Sequence, residues 1–140
     1  MADVGAIATA LKSTVETATG LRGWDYVPDD FQPPAFFVAP GEITRSSFET
    51  ATAMGEMTIP FDLVVLMPRG SDRAGQSKLF DYVSFNTATS VWKAVKATPS
   101  LGLSETNAAV LRYRPLGIEE IAAYGYIGGS FEILVLTKGV

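Results

Sequence analysis

A chain of 140 residues with a formal charge of −4 and neither cysteine nor histidine excludes disulfides, thiolate and imidazole metal sites, and every Ser-His-Asp or Cys-His nucleophile. Its 11 basic residues are interspersed among 15 acidic ones, so it has no basic footprint for gripping phosphate backbones, and sequence-specific DNA binding is not expected. The length fits one domain over residues 1–140, which would bury roughly two thirds of its unfolded surface around a single core.

The first residues lack the basic head and continuous apolar run of a secretory signal. No later stretch approaches the ~20 apolar residues needed to span a bilayer, because Arg, Asp, Glu or Pro interrupts every run. A soluble protein without membrane partners, suited to a reducing cytoplasm, is the expectation. Val4, Ile7, Ala8, Leu11 and Val15 recur at helical spacing, which predicts an amphipathic helix over about residues 2–18 with Gly20 as its stop. Residues 22–26 and 34–39 read as short strands joined by a stiff Pro-rich turn, since proline fixes φ and removes ladder donors.

Residues 43–49 and 56–67 read as the next extended segments. In the second, Met57, Ile59, Phe61, Leu63 and Val65 alternate with Thr58, Pro60, Asp62 and Val64, which gives one apolar face. Pro60 argues that the first half of this strand lies at an edge or a bulge. Residues 50–55 between them are small and uncharged, and read as a mobile hairpin tip. Ser71 is a candidate N-cap for a helix reaching about Val83, with Asp72 complementing the positive helix end.

A second helix is expected over about residues 87–97, with Val91, Trp92 and Val95 on one side, Lys93 and Lys96 exposed, and Pro99 closing it. Residues 108–113 and 121–126 read as strands, and Phe131, Ile133 and Val135 mark a final one. Gly128 and Gly129 either turn the last hairpin or allow a close backbone approach at the head of that strand. The element order implies an α+β fold: a mostly antiparallel β-sheet with helices packed on one face.

Chemistry is sparse. Asp29 with Asp30 and Glu119 with Glu120 are sequence neighbours, which point in different directions and do not converge as an acid/base pair must. The run at 125–129 lacks the lysine and following helix of a P-loop, and no dinucleotide fingerprint is present. No catalytic residue, metal or cofactor is expected. Of the aromatic residues, Trp24, Tyr26, Phe31 and Phe48 lie beside turns or polar neighbours, where interface and core are competing readings.

The order of pieces is the informative feature. Tyr26, Val27, Pro28 and Asp29 end the first strand, Pro33, Pro34 and Ala35 enter the next, and the run PRGSDRAGQ over 68–76 opens a helix. Over most of its length the chain thereby resembles the tail terminator, or head-to-tail joining, proteins of long-tailed siphovirus-type bacteriophages, especially those of actinobacterial hosts. The resemblance implies a tail-terminator-like α+β domain and a structural virion protein, not an enzyme. In that family the protein closes into a ring, usually a hexamer, on the last tail-tube ring, stops polymerisation and offers the head-joining surface.

The implied partners are further copies of the chain, the tail tube protein and a head-completion or neck protein, with DNA passing through the channel without sequence-specific binding. Trp24, Tyr26, Asp29, Asp30 and Phe31 around the first turn, and Phe48, Glu49, Met54 and Glu56 around the second, become the candidate subunit or tube interface. Another neck or stopper protein, a small carboxylate-dependent cytoplasmic enzyme and a generic interaction module are the alternative readings. A neck protein would differ in fold, an enzyme would need a deep pocket with converging polar groups, and an interaction module would have no reason to close into a ring.

Overall fold

Five strands and three helices make up the fold in the computed structural model, which describes residues 4–26, 34–41, 56–68, 72–103, 105–115 and 126–138. In chain order they are α1 (Val4–Thr19), β1 (Arg22–Trp24), β2 (Ala35–Pro40), β3 (Glu56–Pro68), α2 (Asp72–Val83), α3 (Val91–Ala97), β4 (Thr106–Pro115) and β5 (Tyr126–Lys138). The strands form one sheet in the order β1-β2-β3-β5-β4. β1 and β2 pair in parallel and every other pair is antiparallel, so the α+β expectation holds.

The sheet is built on the long β3–β5 pair, in register from Glu56↔Lys138 to Pro68↔Tyr126. Alternation decides which face is buried. Ile59, Phe61, Leu63, Val65 and Met67 of β3 and Phe131, Ile133 and Val135 of β5 point inward and are almost wholly inaccessible, as a period of two requires. Against them pack Ile7, Leu11 and Val15 of α1, Leu79 and Tyr82 of α2, and Val91 and Val95 of α3. Each such side chain, once fully buried, contributes about 1.5–3 kcal/mol, and all belong to one core on one face of the sheet.

Helix ends follow local chemistry. Gly20 takes the left-handed φ of +74° and its N–H donates to the Glu16 carbonyl at 2.9 Å, which closes α1 where the sequence expects it. α3 begins at Val91, not at Thr87, because Ser90 has an extended backbone and its hydroxyl accepts the Lys93 N–H at 3.2 Å. A helix cannot run through its own N-cap.

Pro60 sits where the β2 pairing stops, one residue beyond the Pro40↔Phe61 pair, and its carbonyl accepts the Gly41 N–H at 2.8 Å. Its missing donor therefore faces the β2 side, just past the end of that ladder. Gly128 and Gly129 do not turn a hairpin. They lie inside β5, opposite Leu66 and Val65. A Cβ on Gly128 would stand 1.9 Å from the Val65 carbonyl oxygen, and one on Gly129 would stand 2.3 Å from the Tyr113 hydroxyl, so close approach is the reading that survives.

The first two strands are not a hairpin either. β1 stops at Trp24, two residues short of the expected Tyr26, and its parallel pairing with β2 means that the connection carries the chain back to the same end of the sheet. The expected strand at 43–49, the tip at 50–55, the Ser71 cap and residues 121–125 lie outside the described residues.

Candidate functional site

A single sheet has two outermost strands, and here they are unlike: a three-residue β1 and a ten-residue β4. The β1 edge is held against α1 by polar contacts. Glu16 ion-pairs with Lys12 at 3.9 Å and its carboxylate accepts the Gly23 N–H at 2.9 Å. The Thr19 hydroxyl donates to the Val15 carbonyl at 2.7 Å and accepts the Leu21 N–H at 3.2 Å. Gly23 leaves room for the Phe36 ring, which a Cβ there would meet at 2.3 Å.

On the other side of β1 the Arg22 guanidinium lies 4.9 Å from the centroid of the half-buried Trp24 ring, within cation–π range. Asp25 accepts the Thr9 hydroxyl at 2.7 Å. Tyr26 then stands 59% exposed. Of the nine sequence-predicted interface residues, the structure brings these two aromatics, Trp24 and Tyr26, to one sheet edge. Glu56 begins β3 at its pairing with Lys138 of β5. Asp29, Asp30, Phe31, Phe48, Glu49 and Met54 lie outside the described residues.

The β4 edge was not singled out by sequence reasoning, and it carries the larger concavity. A groove of about 990 Å³ runs between α3 and β4, lined by Trp92, Val95, Ala108 and Val110, with Lys93 and Lys96 on the helix side. Both lysines are exposed, as the sequence predicts. Phe85, before α3, is 67% exposed and packs edge-on against Trp92 with ring centroids 4.9 Å apart. Trp92 in turn meets Phe131 of the core at 6.2 Å. Its indole N–H is buried and finds no acceptor among the described residues.

The strand beneath is irregular. Its register with β5 shifts between Val110 and Arg112, so Leu111 is an extra residue and is 46% exposed, as bulges at sheet edges produce. Arg112 pairs with Glu132 of β5 at 2.8 Å across the outer face. A sequence signal for this site existed: Phe85 precedes a short helix whose Lys93 and Lys96 are three residues apart, hence on one face, next to Trp92.

No carboxylate lines the groove among the described residues, and among those residues no group of three acidic side chains is placed to hold a metal ion. No helix among them is long and apolar enough to cross a membrane. What the described surfaces offer is aromatic area and charge, which are materials of protein contact. Compared with known protein families, the chain matches no family model, and no curated protein is significantly similar to it.

Proposed function

We propose that this chain is a structural virion protein, a tail terminator that caps the tail tube of a siphovirus-type phage. Copies close into a ring, six by the family's usual number, on the last tube ring. They stop polymerisation and present the surface that a head-completion or neck protein joins, while DNA passes through the central channel. The ring assembles in the host cytoplasm and stays in the virion.

The observation that carries the reading is the pair of unlike edges on one sheet covered by helices on one face. A ring needs a heterologous contact, in which one surface meets a different surface of the next copy and the rotation closes. Two dissimilar edges on opposite sides of a subunit suit that requirement, since one edge of a copy can meet the other edge of the next. The order of the sequence motifs, which resembles that of tail terminators, supports the same reading.

Localisation tests it. Epitope-tagged chain expressed during infection, visualised by immunogold on isolated tails, is expected at the head-proximal end of the tube and nowhere along its length. Gold along the tube, on the capsid, or absent from particles would refute the assignment. In the same ring, inward carboxylates keep the channel from binding its cargo. Glu49→Lys with Glu56→Lys is therefore expected to slow DNA transit or impair assembly, read as a fall in infectious particle yield; an unchanged yield would count against channel-facing positions for both.

A further inference from the structure

The α3–β4 groove has an apolar wall and a cationic side, and no carboxylate among its described lining residues. In a chain of net charge −4 two neighbouring ammonium groups beside the exposed Phe85 ring and the half-buried Trp92 ring are a selective feature. They favour an occupant that carries carboxylates within side-chain reach of aromatic groups, and they repel a basic one.

The chain's own sequence contains such a stretch. Residues 25–31 read Asp25, Tyr26, Val27, Pro28, Asp29, Asp30, Phe31: three carboxylates, two aromatic rings and no cation. It leaves the sheet from Trp24 of β1 and returns at Ala35 of β2. Those strands are the far edge and its neighbour in the order β1-β2-β3-β5-β4. At about 4.8 Å per strand these edges lie roughly 19 Å apart, so the strands that flank the stretch and the groove sit on opposite sides of the same sheet.

We propose that the groove between α3 and β4 receives residues 25–31 of a second copy of the chain. Asp29 and Asp30 face Lys93 and Lys96, and the aromatic side chains of the incoming stretch cover Phe85 and Trp92. Side chains carry the contact, because the outward N–H of Ala108 in β4 is already taken by the Pro99 carbonyl at 2.7 Å. The contact is heterologous, groove to stretch, so each copy offers one of each. The inference rests on the ring reading for closure, and on charge and topology for the surfaces.

Charge reversal tests it by complementation. Asp29→Lys/Asp30→Lys alone sets cations against cations, and Lys93→Glu/Lys96→Glu alone sets acids against acids. Each is expected to weaken self-association on the order of a hundredfold or more, read by sedimentation equilibrium at matched chain concentration. An equimolar mixture restores it, because in an alternating ring every groove then meets a stretch of opposite charge. Parental association in either single-surface variant, a monomeric mixture, or a parent that stays monomeric at millimolar concentration overturns the proposal.

Should the aspartate variant fail to fold, the cysteine-free chain allows a second route. Phe31→Cys and Lys96→Cys chains mixed under mild oxidation are expected to form the mixed disulfide dimer well above either self-dimer, and equal yields of all three species count against the contact. The two ideas fail separately. Failed complementation with a chain still found at the tail end removes this contact and keeps the cap. Restored association with a chain absent from tails does the reverse.

Discussion

Gly128 holds the tightest backbone approach in the described core, since the Val65 carbonyl would meet any Cβ there at 1.9 Å. No flexible side chain can give way, so Gly128→Ala must part β3 from β5 at the head of their ladder. A loss of about 3 kcal/mol is expected in urea unfolding, whereas Gly102→Ala, at φ +74° with open space around it, should cost only about 1 kcal/mol. Two phenols among the described residues contribute to the fall of stability at alkaline pH. Burial pushes the Tyr113 hydroxyl above its ordinary 10.0. Tyr82 is raised likewise, by burial first and by the Asp81 charge second. The unfolded chain then releases these protons first, so stability is full below about pH 10 and falls as pH rises through and beyond it. Tyr113→Phe should flatten that fall, measured as the denaturation midpoint from pH 8 to 11.

The α3 region shows what an element needs beyond periodicity. Ser90 is 1% exposed and caps α3 through the Lys93 N–H, and Ser90→Ala is expected to cost about 1 kcal/mol. Trp92 packs between Phe85 and Phe131 while its indole N–H lacks an acceptor among the described residues. Trp92→Phe removes the orphan donor and should fall within about 1 kcal/mol of the parent, while Trp92→Ala should lose roughly 3 kcal/mol; thermal melts distinguish them. Periodicity made α1 and the inward face of β3 legible, because burial on one face imposes a repeat that propensity does not. It overran at Thr87 because a run of Thr, Ala and Ser carries no face and offers several candidate caps, of which Ser90 is the one used. Gly128 and Gly129 left two readings open for a similar reason. Glycine permits both a turn and a close approach, and only the strand lying opposite decides.

At the scale of the molecule, the sheet-and-helix class followed from element order, while strand order did not. Nothing local says that β5 inserts between β3 and β4, or that β1 runs parallel to β2; both depend on long-range pairing. The same gap hid the α3–β4 groove, whose walls come from segments more than ten residues apart. Trp24 and Tyr26, singled out because a ring beside a turn has few neighbours to bury it, both lie at the short edge, Trp24 half-buried and Tyr26 exposed. On the proposed reading, copies of this subunit close into a ring on the end of a tube, and such a ring sets the tube's length. Tail length is therefore the direct readout. Electron microscopy of particles from a phage lacking this chain is predicted to show overlong, headless tails with uncapped ends. Tails of normal length joined to filled heads would contradict the account.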